Sequence, residues 1–271
     1  MRTLAPLGRR RVTVLAGRDV GAYRLLHADD PHGPAPSPGQ FYMLAAVERW
    51  GAGEDERPYL PRAFSYMINA GGRLAFMLED VGPGTNRLAQ LDAGDELWLM
   101  GPLGEGFAEP PGGRRAILAG GGIGVPPLRA LAGVLDDARV RVNALLGFRD
   151  AGHAAVAESL FEGTSLQLAT DDGSVGHHGF VTELLAAELD VDDHAVVYAC
   201  GPPGMLEAVR ALCAARGVPA QLALEAGMAC GFGACYGCVV RLREGGYLRL
   251  CVDGPVLDAD RLERVAQDGH A

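Results

Sequence analysis

The stretch LAGGGIGVPPLRAL, residues 118–131, joins an apolar strand-like run to an apolar helix-like run through five residues of which four are glycine. Gly122, Gly124 and Pro127 make a G-x-G-x-x-P pattern, with Gly120 and Gly121 in front. It follows the dinucleotide-binding fingerprint except at its third position. Proline is well tolerated there, because a first-turn N–H has no intrahelical partner to lose. The loop reads as a phosphate cradle at a helix N-terminus, or as a tight glycine turn that carries no ligand. The surrounding chain repeats the same rhythm. Strand-like AILAG, VNALLG, LQLAT and AVVYACG alternate with helix-like PPLRALAGVLDD, HAAVAESLFE, FVTELLAAEL and GMLEAVRALCAARG. That alternation predicts a parallel sheet with crossover helices. YACGPPGM places Cys200, Gly201 and Pro202 at a strand's carboxyl end, where open parallel sheets bind ligands.

Upstream the texture differs. RVTVLAG, AYRLLHA, QFYMLAAV, AFSYMI, RLAFMLE and DELWLMG are short strand-like runs separated by PHGPAPSPG, NAGG and similar turn signals. They predict a small antiparallel barrel. Two segments in it carry chemistry. PRAFSY sets Arg62 and Ser65 near a strand end, where a guanidinium fork and a hydroxyl suit phosphate oxygens or a flavin edge; a solvated rim arginine is the plain alternative. VGPGTNRL places Gly82, Gly84 and Thr85 at the opening of a short helix, which points to a pyrophosphate and hence a dinucleotide.

Downstream, a last strand QLALE runs into CGFGACYGC and the hairpin VVRLREGGYLRLC. Cys230, Cys235, Cys238 and Cys251 are spaced C-x4-C-x2-C-x12-C, the plant-type ligand order of a 2Fe-2S cluster. Structural zinc also takes four thiolates, usually as two separated C-x2-C knuckles. Cys200 and Cys213 lie outside the pattern, and Cys213 reads as core.

A chain of 271 residues, 48% of them hydrophobic, can bury more than one core. The expected division is a barrel over 1–109, an α/β domain over 110–219 and a small thiol-bearing subdomain over 220–271. A formal net charge of -10 argues against a nucleic-acid or anionic-membrane partner. The apolar run near the N-terminus is too short for a signal-peptide core, so a cytoplasmic, reducing location is expected and a disulfide framework is not. The end of the second sheet strand, LLGFRD, sets Arg149 beside Asp150 and leaves NAD against NADP open.

RAFS, GPGT, GPLGEGF, GGGIGVPPL, TDDGSVGHHGF, YACGPPGM and LEAGMACGFGACYGC followed by CVDGPV, in that order, resemble the electron-transfer subunits of two-component, NAD-dependent dihydroorotate dehydrogenases. RAFS, GGGIG and the CGP segment alone are similar to ferredoxin reductase-type flavoproteins more broadly. The resemblance implies FAD in the barrel, NAD(H) on the α/β domain and a 2Fe-2S cluster near the C-terminus. It also implies a separate FMN-containing subunit that oxidises dihydroorotate to orotate in pyrimidine biosynthesis, joined in a heterotetramer. By the same resemblance Arg62, Ala63, Phe64 and Ser65 hold FAD, and Gly84 and Thr85 hold its pyrophosphate. Met77, Leu78 and Glu79 offer it backbone contacts, Cys200 lies near the nicotinamide and Glu225 near the flavin. Gly120, Gly122, Gly124, Gly201 and Pro202 belong to the nucleotide site. Ala63 stands where the family often has proline and Gly227 where it often has arginine; the second change removes a charge near the redox centres. The alternatives are a stand-alone flavin and iron-sulfur reductase for another acceptor, and a redox-sensing subunit without turnover.

Overall fold

A computed structural model describes residues 8–51 and 58–265. Six antiparallel strands close a barrel: β1 (Arg10–Val20), β2 (Tyr23–Asp29), β3 (Phe41–Ala46), β4 (Arg62–Ala70), β5 (Arg73–Leu78) and β6 (Glu96–Leu103), in the order β1-β2-β5-β4-β3-β6. Period-two alternation sends Val14, Leu26, Leu44, Phe76, Leu78 and Leu99 inward to one core. Each such side chain contributes roughly 1.5–3 kcal/mol on burial. A short helix, α1 (Pro83–Ala89), plugs one end with the fully buried Leu88.

The second body starts at β7 (Arg115–Gly121). It continues through α2 (Val125–Asp137), β8 (Val142–Phe148), α3 (Ala151–Ala154), α4 (Ala157–Leu160), β9 (Ser165–Thr170), β10 (His177–His178) and α5 (Val181–Val191), then β11 (Ala195–Cys200), α6 (Pro203–Arg216) and β12 (Ala220–Ala223). β7 is buried at every residue, as a central parallel strand covered on both faces must be. After the thiol segment come the hairpin β13 (Val239–Arg241) and β14 (Tyr247–Arg249), a single turn α7 (Leu250–Asp253) and β15 (Val256–Asp258). The sheet order is β10-β9-β8-β7-β11-β12-β15.

Three details differ from the reading of the sequence. The sheet is parallel except at one edge, where β15 returns antiparallel to β12 and ties the C-terminal segment into the central body. The run expected as one helix near residue 153 is two four-residue helices; the chain turns at Ala155 and Val156, which puts Val156, Ala157 and Phe161 into the core. The closing strand of the hairpin stops at Arg249, and the next residues coil so that Leu250 and Cys251 are buried.

Barrel and sheet are seated on each other. Helix α2 packs on both β7 and β4, and the Ala22 N–H donates to the Gly152 carbonyl over 3.0 Å across the seam. Among the described residues no helix is long and apolar enough to cross a membrane.

Candidate functional site

Two cavities lie along that seam. The first, about 330 Å³, is walled by Arg62, Ala63, Phe64 and Ser65 of β4, Met77 of β5, Glu79, and Thr85 of α1, and on the sheet side by Cys200 and Glu225. Leu78, between Met77 and Glu79, points into the barrel core and is fully buried. Arg62 opens β4, and its guanidinium runs along Gly84, where a Cβ would collide with it. One of its nitrogens donates to the Leu60 carbonyl over 2.6 Å. The Thr85 hydroxyl accepts from the Val81 and Gly82 N–H groups and donates to the Gly82 carbonyl, so it is committed to capping α1. Arg62 and the first turn of α1 thus form one polar corner of the pocket, with the carboxylates of Glu79 and Glu225 also on its wall.

The second cavity, about 790 Å³, lies across the carboxyl ends of the parallel strands and takes in Gly121, Gly122, Gly201 and Pro202. Gly120 and Gly124 serve packing. A Cβ on Gly124 would stand 2.5 Å from the Cys200 carbonyl and the Gly201 nitrogen, so only glycine lets the loop after β7 lie against the end of β11. Gly120 is pressed against Leu146 and Leu128.

The two cavities share Glu79, Ile123 and Glu225. Glu225 is open to solvent through them yet ringed by protein, and that desolvation pushes its carboxyl up. Burial, aided by the nearby Glu225 charge, holds the Cys200 thiol well above its ordinary value, so it meets the first cavity as a neutral group.

The thiol segment wraps the outer face of the barrel beside β3. Gly231 and Gly233 both have positive φ, 78° and 86°; a Cβ on Gly231 would press on Met43, and one on Gly233 on Val252. This curl folds the chain back on Cys230, whose Sγ accepts from the Ala234 N–H (3.3 Å) and the Cys235 N–H (3.4 Å). Gly237 N–H donates to Cys235 Sγ over 3.5 Å. Cys251 N–H donates to Cys238 Sγ over 3.4 Å, and those two sulfurs stand 3.2 Å apart. Partial burial works against it, but the N–H donors of Cys235, Phe232 and Ala234 hold the Cys230 thiol below its usual range; burial beside Cys238 pushes that of Cys251 up.

Among the described residues no group of three or more Cys, His, Asp or Glu gathers as a site for a metal ion. The cysteines fall instead into two pairs: Cys235 donates its backbone N–H to Cys230 Sγ, and Cys238 and Cys251 meet sulfur to sulfur. Two pairs with peptide N–H groups aimed at sulfur fit a binuclear cluster, which takes two thiolates on each iron.

Several lining residues escaped the sequence reading. His153 donates from Nδ1 to the Asp150 carboxylate (2.7 Å) and accepts on Nε2 from Arg149 (2.6 Å), and Nε2 stands 3.5 Å from Glu79 across the seam. Hydrogen bonds from the His153 ring and backbone bring the Asp150 carboxyl down to about 2. Arg149 and Asp150, the ambiguous pair, are therefore engaged with His153. Asp171, at the end of β9, lines the second cavity, as does the exposed ring of Phe180. The two adjacent aspartates of TDDGS carry no spacing signal, because what makes Asp171 a lining residue is the sheet that brings the end of β9 and the glycine loop to one cavity, not the local chain.

The model of the iron-sulfur cluster binding domain of dihydroorotate dehydrogenase B matches residues 225–263. The curated electron transfer subunit of dihydroorotate dehydrogenase B (NAD(+)) from Geobacillus thermodenitrificans is 39% identical over 264 residues, covering 93% of this chain and 98% of that one. Its counterpart from Bacillus caldolyticus is 37% identical over 260 residues, with the same coverage. Among solved structures, an NADH-dependent reduced ferredoxin-NADP oxidoreductase studied for flavin-based electron bifurcation superposes with a TM-score of 0.82 at 23% identity, over 95% of this chain and 91% of that one. The ferredoxin reductase of carbazole 1,9a-dioxygenase gives 0.66 at 24% identity, over 78% and 66%. These two likenesses speak for the fold. Barrel, nucleotide sheet and thiol segment, in one order and at that identity over nearly the full length of curated relatives, mean that this chain belongs to the family of dihydroorotate dehydrogenase B (NAD(+)) electron transfer subunits.

Proposed function

We propose that this chain passes electrons between NAD and a catalytic partner that oxidises dihydroorotate to orotate, using FAD in the first cavity, NAD(H) in the second and a 2Fe-2S cluster on the four thiols. The observation that carries this reading is the junction at Glu79, Ile123 and Glu225, residues shared by the cavity between barrel and sheet and the cavity across the sheet's carboxyl edge, while the thiol segment packs against the same barrel. FAD, when bound, supplies the conversion between a two-electron hydride and single electrons.

The chain's own residues place the reactants. Arg62 supplies the charged fork for the pyrophosphate, and Gly84 leaves it room. Thr85 acts by holding the first turn of α1 in shape. Ala63, Phe64, Ser65, Met77 and Glu79 line the flavin, with Leu78 anchoring their strand. Gly121, Gly122, Gly201 and Pro202 admit the nicotinamide nucleotide, with Gly120 and Gly124 closing the packing beneath it. Cys200 and Glu225 border the point where the two rings meet, Cys200 as a neutral thiol and Glu225 as a carboxyl that burial pushes up. Asp171 takes the ribose hydroxyls, the role that Asp150 would hold were it not spent on His153. The flavin body is 1–109, the nucleotide body 110–219 and the cluster body 220–271.

The partner carries FMN, and the assembly is a heterotetramer. Phe232 and Tyr236, 45% and 62% exposed beside the cysteines, form the face it covers. Alone, the purified chain should reduce an artificial dye with NADH and leave dihydroorotate untouched. Mixed with the FMN-containing subunit from the same source, it should reduce NAD with dihydroorotate. Co-purification with a different redox protein, with no orotate formed in the mixture, would overturn the reading in favour of a general reductase.

A further inference from the structure

One cation reaches into the thiol segment from outside it. Arg249 ends β14, two residues before Cys251, and its side chain is about one-third exposed. Its NH1 donates to the Gly233 carbonyl over 3.2 Å, and its guanidinium lies 5.5 Å from the centre of the Tyr236 ring. The Asp253 carboxylate accepts from the Arg249 backbone N–H (3.1 Å) and stands 3.6 Å from its Nε, which steers the other end of the fork toward Gly233. The Gly233 carbonyl belongs to the same peptide unit as the Ala234 N–H, and that N–H donates to Cys230 Sγ over 3.3 Å. Guanidinium, peptide and sulfur therefore form one continuous chain of hydrogen bonds.

We propose that Arg249 is a positioning residue that raises the reduction potential of the cluster through the Gly233–Ala234 peptide. The physical argument has two steps. A charged donor on a peptide carbonyl polarises that peptide, so its N–H becomes a stronger donor at the far end. Hydrogen bonds to cluster sulfurs stabilise the reduced, more negative state and so raise the potential. The carboxylate of Asp253 offsets much of the bare charge of Arg249, so the effect is carried by the hydrogen-bond chain more than by long-range Coulomb attraction. Arg249 also fixes the loop mechanically, since the bond to Gly233 and the contact with Tyr236 tie the exposed half of the thiol segment to the strand that leads to Cys251. This inference rests on the cluster assignment made above.

The test is an anaerobic spectroelectrochemical titration of the purified holoprotein, wild type against Arg249→Met, Arg249→Gln and Arg249→Lys, with iron content and Fe–S stretching frequencies read on the same samples. Arg249→Met keeps an apolar stem and removes the donor; it should lower the equilibrium constant for cluster reduction about three- to tenfold, a drop of about 30–60 mV for one electron. Arg249→Gln keeps a neutral donor and should fall between Met and wild type. Arg249→Lys keeps charge and donor and should lie nearest to wild type. The Fe–S stretches of the Met variant should shift with the potential, as a weakened N–H···S bond requires. Full iron loading in Arg249→Met at an unchanged potential would overturn the proposal and leave Arg249 a packing residue. Should that variant fail to load, a Gln variant that loads with a wild-type potential would overturn it equally. Zinc in place of iron in the wild-type protein would instead remove the cluster assignment before any potential is measured, which separates failure of that reading from failure of this one.

Discussion

The four cysteines are chemically alike and spaced as one motif, yet the fold treats them as two pairs. Cys238 and Cys251 are each 2% exposed and belong to the same apolar cluster as Leu250, Leu222 and Leu206. Cys235 is exposed and Cys230 partly so, in a loop whose neighbours Phe232 and Tyr236 face solvent. The buried pair is held within the protein core. The exposed pair is shaped by a ring of N–H donors and by two positive-φ glycines that seat the loop's backbone on Met43 and Val252, while its sulfurs stay at the surface. The difference teaches how one motif serves two needs: an inner half that anchors the cluster to the body holding flavin and nucleotide, and an outer half that a second protein can approach.

The sharpest way to break this comparison is to replace one cysteine from each pair. Cys235→Ser and Cys251→Ser should both lose most of the iron, measured by metal analysis after anaerobic purification, with flavin retained in the first. Only Cys251→Ser should also weaken the fold, by about 1–3 kcal/mol in urea unfolding of the metal-free chain, because it puts a hydroxyl into an apolar pocket. Equal unfolding midpoints for the two variants would erase the distinction between anchor and outer half.

A second substitution sharpens the comparison from the neighbouring strand β4. Arg62→Ala should weaken FAD binding by roughly 1.5–3 kcal/mol, the loss of a hydrogen bond to a charged group, while leaving iron content untouched. Equilibrium dialysis of the flavin reads it. Release of FMN in place of FAD would remove the pyrophosphate role of Arg62 and Gly84. A smaller effect belongs to the outer surface. Phe232→Glu should weaken assembly with the FMN-containing subunit by on the order of 1–2 kcal/mol, as loss of an exposed aromatic anchor does, with dye reduction by NADH unchanged. Sedimentation of the mixed subunits would show it; undiminished assembly would mean that Phe232 only shields the cluster.

How much of this was legible in the chain follows from how local each signal is. The cysteine spacing, the glycine loop at 120–124 and the alternation of strands and helices are short-range patterns, and the barrel and sheet follow from them. The antiparallel return of β15 onto β12 is a pairing between residues more than thirty apart with a three-residue strand, too short to announce itself. Likewise Arg149 and Asp150 look like a nucleotide discriminator in the sequence, but Asp150 caps the turn that carries His153 and both residues bond its ring locally, while only the fold brings Glu79 against that ring. The hydrogen-bond chain from Arg249 to Cys230 joins residues nineteen apart through a peptide that belongs to neither, and nothing in their identities announces it.

The account stands on the cluster lying on the electron path between NADH and the partner, and the most direct measurement is anaerobic reduction of the isolated holoprotein with NADH followed by electron paramagnetic resonance. The signal of a reduced binuclear iron-sulfur cluster should appear in the wild type at close to the chain concentration, and be absent from Cys235→Ser, which still bleaches its flavin with NADH. Flavin reduction and dye turnover in the wild type with no cluster signal at any NADH concentration would contradict it.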